Sequence, residues 1–284
     1  MERFFENVEK NNIQIFPYDK ITFHNKIGEG GFGEVHKCEI DDKMYASKRL
    51  YFEFDKNLNK FLFTLLNELK VCKNLKSKRF THVYGVSYDN NGQELYIIME
   101  YLNNGSLYDY LKKNTFSVKN KLKIFYSIIL SVKEFHKQGY IHTDLKPENL
   151  SYFYDIKEKK KYIKLFDYNL VAKINKNEEY TDGWDGTYGY SAPEQFNGII
   201  CKKSDIYGLG VIFLEILMGC DLWDPKFYNY QKSRKSIIDN LESYKNININ
   251  IYKIIKKCLS MSPENRISMQ ELQKSIKNLI NNCD

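Results

Sequence analysis

Polar and apolar positions alternate, or gather in short apolar runs, through much of the first hundred residues. Five segments have this strand character: 21–27, 34–40, 43–50, 81–87 and 95–100. Val, Ile, Phe and Tyr dominate them, and Gly, Asn and Asp punctuate them. One segment breaks the rhythm. In 58–75 the apolar residues stand at 58, 62, 65, 66 and 69, which is the spacing of one helix face. Past Asn104-Gly105 the helical period takes over. Segments 106–113 and 118–137 read as helices, the second with Leu122, Phe125, Ile129 and Val132 in register and Gly139 as its stop. Further helices fit 204–218, 251–259 and 269–280, the last opened by the capping box Ser268-Met-Gln-Glu271. The pattern therefore predicts a sheet-rich small half, 20–100, with five antiparallel strands and one helix. A mainly helical larger half, 105–284, follows, with the joint at 100–104 and an extension at 1–19. The fold class is α+β with two lobes.

Composition narrows the class. The chain has 284 residues, 43% hydrophobic and 28% charged. That excludes disorder, collagen and a small disulfide scaffold, and leaves enough chain for two sizeable cores. The net charge is +7, from lysines scattered among acids, which reads as solvated helix faces rather than a nucleic-acid groove. The densest basic run, Lys157-Glu158-Lys159-Lys160-Lys161, lies between two strand-like stretches and reads as a hairpin tip. None of the six cysteines is spaced Cys-x-x-Cys, which fits a reduced intracellular chain. Met1-Glu2-Arg3 opens no signal peptide, and the longest apolar stretch, 207–218, holds Glu215 and is too short to span a bilayer. The expected setting is cytoplasmic, without membrane insertion; a secreted effector acting inside another cell stays open.

Three groups of residues carry candidate chemistry. Gly28-Glu-Gly30-Gly31-Phe32-Gly33 is a Gly-x-Gly-x-x-Gly loop, and Glu34–Ile40 after it alternates as a strand. A dinucleotide fold would place a helix there. A strand–loop–strand lid can instead lay backbone amides over phosphates; an ordinary glycine-rich hairpin stays open for the loop alone. Lys48 lies on the third predicted strand and Glu68 on the helix, a pair able to fix a lysine against phosphates. Last come His142-Thr143-Asp144-Leu145-Lys146-Pro147-Glu148-Asn149, Phe166-Asp167-Tyr168-Asn169, Gly186-Thr187, Ala192-Pro193-Glu194, Asp205 and Arg266, in that order.

At this point the chain resembles a eukaryotic-type Ser/Thr protein kinase catalytic domain, over essentially 20–280. The resemblance implies ATP and Mg²⁺, with Mn²⁺ able to substitute, and a protein substrate, with ATP in a cleft between the lobes. It makes Asp144 the catalytic base and Lys146 the γ-phosphate contact. Asn149 and Asp167 become the metal ligands, Lys48 with Glu68 the phosphate-holding pair, and Thr187 a substrate-positioning group. Gly28, Gly30, Gly31, Phe32 and Gly33 would cover the phosphates. Ile27, Val35 and Ala46 would line the adenine slot. Met99 aligns with the gatekeeper, and the backbone of Glu100 and Leu102 would meet the adenine edge. Glu194 with Arg266, and Asp205, match structural landmarks of the family.

The chain departs from that pattern at three places. Thr143 replaces the arginine that pairs with a phosphorylated activation loop, so activity is expected not to depend on loop phosphorylation. The acids Glu178, Glu179 and Asp182 of that loop are candidates for ordering it instead. Tyr168 and Asn169 replace the usual Phe and Gly, which predicts an aspartate loop that flips less readily. The connection between Asn149 and Asp167 is lengthened by the lysine-rich hairpin. These departures keep a second reading open, a pseudokinase acting as an ATP-binding scaffold. A third is a kinase-fold enzyme acting on a lipid or small molecule. Oligomeric state is not legible.

Overall fold

The alternating segments of the N-terminal half pair into one sheet in the computed structural model. That structure describes all residues except 31–32, 53–56, 90, 156–157, 169, 175–178, 182–185, 220–221, 223–229 and 284, and the backbone alone at 179–181 and 230. Of the expectations above, those on Gly31, Phe32, Lys157, Asn169, Glu178 and Asp182, and on the side chain of Glu179, lie outside the described residues. The chain divides into two compact units, Met1–Gly105 and Ser106–Asp284.

In the first unit the elements run α1 (Glu2–Lys10), β1 (Gln14–Ile15), β2 (Thr22–Gly30), β3 (Gly33–Ile40), β4 (Lys43–Leu50), α2 (Leu58–Asn74), β5 (Val83–Tyr88) and β6 (Leu95–Glu100). The spatial order is β1-β5-β6-β4-β3-β2. The expected five antiparallel strands are present, but a sixth, β1, adds in parallel to β5, with Gln14 opposite Gly85 and Ile15 opposite Val86. The addition needs glycine at 85, where a Cβ would stand 2.0 Å from the Gln14 carbonyl oxygen. Apolar residues of α2 (Leu62, Leu65, Leu66, Leu69) pack with Val86, Leu95 and Ile97 of the sheet, and Phe4 and Val8 of α1 join the same core. A separate cluster gathers Phe16, Ile21, Cys38, Ile40, Tyr96 and Ile98.

The second unit contains α3 (Leu107–Lys113), α4 (Val118–Lys137), β7 (Tyr140–Ile141), β8 (Leu150–Asp155), β9 (Lys160–Leu165), β10 (Ala172–Lys173), β11 (Glu179–Thr181), β12 (Ile199–Cys201), α5 (Lys202–Met218), α6 (Tyr230–Tyr244), α7 (Ile249–Cys258) and α8 (Met269–Asn281). Helix α5 is buried on all sides from Ser204 to Leu217. Its Phe213 stacks on Phe125 of α4 at 4.1 Å between ring centres. Ser106, Ser117 and Ser268 cap their helices by accepting amides of the first turn. β8 and β9 form the expected hairpin, turning at Glu158-Lys159 with Lys159 at φ +52°. Helix α6, absent from the sequence expectation, buries Ile237 and Leu241. No helix among the described residues is long and apolar enough to cross a membrane.

Candidate active site

The segment 142–149 leaves β7 and is shaped by the buried carboxylate of Asp205 on α5. That carboxylate accepts the backbone amides of His142 (3.0 Å) and Thr143 (2.9 Å) and the Nε2 of His136 (2.7 Å). Burial opposes its charge, but the His136 hydrogen bond and the attraction of His136 and His142 outweigh it, so its carboxyl sits below the usual range. Pro147 then fixes a short 3₁₀ turn, Pro147–Asn149. The turn brings the Asn149 side chain back to Asp144, where Nδ2 donates to the backbone oxygen (2.9 Å) and to Oδ2 (3.0 Å). Lys146 Nζ lies 3.0 Å from the same Oδ2. Thr187 closes the other side. Its amide (3.0 Å) and hydroxyl (2.7 Å) donate to Asp144 Oδ1, and its hydroxyl oxygen accepts from Lys146 Nζ (2.8 Å). Asp144, Lys146, Asn149 and Thr187 are thus one hydrogen-bonded group.

Two of the candidate segments' residues adopt left-handed backbone: Thr143 (φ +68°) and Asp167 (φ +63°). For a β-branched threonine this is a strained conformation of order 1–3 kcal/mol. It is held by Asp205 on the amide and by Gln195, whose Nε2 donates to the Thr143 carbonyl at 3.0 Å. The Thr143 hydroxyl donates to the Leu170 carbonyl (2.7 Å), tying the segment after Asp167 to the segment 142–149 without charge. Tyr168 is buried, its hydroxyl donating to the Leu165 carbonyl (2.6 Å) and its ring beside Phe135 and His142. Thr143 and Tyr168 are visible as departures in the sequence, but these bonds are not. Nor is His136, for which helix periodicity gives no signal.

The first unit holds the remaining candidates. β2 and β3 run to the tip of the glycine loop, with Gly30 opposite Gly33. Gly33 is demanded by the fold: at φ +153° a Cβ would meet the Arg49 carbonyl oxygen at 2.0 Å. Gly30 is not, since among the described residues a Cβ there meets nothing within 4 Å. Gly28 is half-buried beside Val35. Lys48 is buried on β4 between Val35 of β3 and Ile97 of β6, and Glu68 is half-buried on α2. Ala46 is buried opposite Met99, Val35 and Leu102 are half-buried, and Ile27 is exposed. The Glu100 amide donates to the His82 carbonyl (2.8 Å), and the Leu102 carbonyl accepts the Gly105 amide (3.1 Å).

Chemically, a carboxylate fixed on both oxygens beside an ammonium group can orient a hydroxyl, take its proton and meet an anionic group. A protein kinase domain pattern matches residues 21–276. The chain is 29% identical over 272 residues to the interferon-induced, double-stranded RNA-activated protein kinase of Rattus norvegicus, covering 88% of this chain and 50% of that one. It is 31% identical over 232 residues to a G-type lectin S-receptor-like serine/threonine-protein kinase of Arabidopsis thaliana (78% and 27%). It is 32% identical over 211 residues to the L-type lectin-domain containing receptor kinase IX.2 of Arabidopsis thaliana (71% and 30%). The chain thus spans half or less of the length of these relatives. With the pattern matched across nearly its whole length, the chain belongs to the protein kinase family.

Proposed function

We propose that the chain transfers the γ-phosphoryl group of ATP to Ser and Thr hydroxyls of protein substrates. The carrying observation is the Asp144 carboxylate, gripped by Thr187 on one oxygen and by Asn149 and Lys146 on the other. In the reaction the substrate hydroxyl oxygen bonds to phosphorus, the bond from phosphorus to the ADP oxygen breaks, and the hydroxyl proton passes to Asp144. Lys146 meets the γ-phosphate. Lys48, with Glu68, holds the inner phosphates under Gly28, Gly30, Gly31, Phe32 and Gly33. Ile27, Val35, Ala46 and Met99 line the adenine slot. The backbone of Glu100 and Leu102 meets the adenine edge.

Asn149 turns its amide nitrogen to Asp144, so its oxygen and the Asp167 carboxylate form a hard-oxygen set that suits Mg²⁺ or Mn²⁺. When bound, the cation offsets phosphate charge as the phosphoryl group moves. We further infer that activity does not require a phosphorylated activation loop. Thr143 binds the Leu170 carbonyl through a neutral hydroxyl, where the family pattern has an arginine that pairs with phosphate.

The test is transfer of labelled γ-phosphate from Mg-ATP to a mixed basic-protein substrate, followed by identification of the labelled hydroxyl. Wild type should label Ser or Thr, before and after phosphatase treatment. Asp144→Asn should be about 10²–10⁴-fold slower. Loss of activity after phosphatase refutes the loop inference. No label from wild type, with Mg-ATP still raising its melting temperature, refutes catalysis in favour of a nucleotide-binding scaffold.

A further inference from the structure

The β8–β9 hairpin does more than join the Asn149 turn to Asp167. With α3 and α4 it encloses a cavity of about 310 Å³ in the second unit. Tyr110 of α3 and Tyr152 of β8 stack face to face in its wall, 4.3 Å apart and 8° from parallel, with Phe116 against Tyr110 at 5.5 Å. Ile124 adds a buried apolar surface. Lys123 of α4 and Lys161 of β9 line the cavity with exposed side chains. A hydrogen bond to Tyr152 holds the Lys161 ammonium above the usual lysine range, so it is charged throughout the neutral region.

The charged side chains that line this cavity are of one sign. No carboxylate is among its described lining residues. The nearest acids along the chain have partners of their own: Asp109 accepts from Ser106 (2.6 Å), Asp155 accepts the Glu158 amide (3.0 Å), and Glu158, at the cavity's edge, accepts from the hydroxyl of the lining residue Tyr162. Two other lysines of α4 are tied to carbonyl groups, Lys119 to Cys283 (2.6 Å) and Lys121 to Leu217 (2.8 Å). Lys123 and Lys161 therefore set the sign of the site. We propose that this cavity docks an acidic segment of the protein substrate, seating one apolar side chain against the rings with carboxylates on Lys123 and Lys161. The proposal rests on the protein-substrate reading above.

A peptide suits the site better than a nucleic acid. The cavity is concave and at the small end for ligand sites, sized for one side chain rather than a groove that tracks a backbone. Tyr110 and Tyr152 already stack on each other, which commits one face of each ring. Docking here would act as a tether, raising the effective concentration of the phosphorylated segment. It lowers KM for substrates with an acidic tail and leaves kcat unchanged.

The experiment measures fluorescence anisotropy of a short fluorescein-labelled peptide, rich in Glu and Asp around two leucines, with the full chain. A Lys-for-Glu version of that peptide and an oligouridine RNA serve as comparison probes. Binding to wild type and to Asp144→Asn should be equal, because turnover plays no part. Lys123→Glu/Lys161→Glu should bind at least about tenfold more weakly. Lys123→Arg/Lys161→Arg should retain binding, and Lys253→Glu, exposed on α7 and outside the lining, should not change it. Equal binding to the charge-reversed variant, absence of binding, or preference for the RNA overturns the docking site. If peptide binding follows the two lysines but wild type transfers no phosphate, the catalytic reading fails and the docking surface stands.

Discussion

Glycine loops invite a functional reading at every glycine, and individual residues separate here. Gly33 is fixed by the Arg49 carbonyl, whereas none of the described residues crowds position 30. Gly33→Ala should therefore cost about 1–3 kcal/mol or more of stability from overpacking against backbone. Gly30→Ala should leave the melting temperature unchanged but raise KM for ATP several-fold, if close backbone approach to phosphate is what the glycine serves. Calorimetry beside ATP kinetics on both variants checks the contrast. Asp205 gives the pH prediction. The folded chain holds this carboxyl below its ordinary value, so it protonates less readily folded than unfolded. Its stabilisation is full above the unfolded pKa, about 3.9, and is lost as pH falls through the folded value. Asp205→Asn should be less stable than wild type at pH 7, with the gap narrowing below about pH 4 in urea titrations. The family resemblance marks Asp205 as a structural landmark from the sequence. His136, its side-chain partner, lies 69 residues away, and only the packing of α4 against α5 brings the two together.

At the scale of elements, the chain before residue 20 is part of the first unit's core. Helix α1 buries Phe4 and Val8 with Leu62, Leu65, Leu66 and Leu69 of α2, and β1 extends the sheet. Lys73 of α2 donates to the carbonyls of Asn11 and Asn12 just past the end of α1, a favourable place for a cation. Val8 is fully buried while Glu9 is exposed. Val8→Ala should cost about 2 kcal/mol, a fall of roughly 4–8 °C in melting temperature, and Glu9→Ala close to nothing. Thermal melts of the two variants decide it; equal behaviour would mean that α1 frays without consequence. The segment gives little helical signal in the sequence because its apolar residues, Phe4, Phe5 and Val8, span barely more than one helical turn among five charged residues. Helix α6 was missed for a related reason, since Ile237 and Leu241 are its main buried apolar pair. Longer periodic segments gave stronger signals. Helices α2 and α4 fall within a residue of the expected bounds, and the glycine loop joins two strands as read.

Across the whole molecule, the candidate residues divide between the two units. The glycine loop, Lys48 and Glu68 are in the first; Asp144, Lys146, Asn149, Asp167 and Thr187 are in the second. Motif spacing made this division visible early, because every landmark is a short local run. The bonds joining Asp144 to Thr187 were not visible, because 43 residues separate them. A ligand that binds the folded chain alone raises its stability by mass action, about 2.7 kcal/mol at one hundred times its Kd. For a chain of this size that is roughly 5–11 °C in melting temperature. Mg-ATP should produce such a shift in wild type. Chelating the divalent cation should remove most of it if Asn149 and Asp167 hold a metal with the phosphates. Asp167→Ala should reduce the shift to about the level of the chelated wild type and become insensitive to chelation. A full shift that survives both chelation and Asp167→Ala would place the nucleotide's affinity outside this metal pair. It would leave Asn149 with the positioning of Asp144 alone, for which its two hydrogen bonds already suffice.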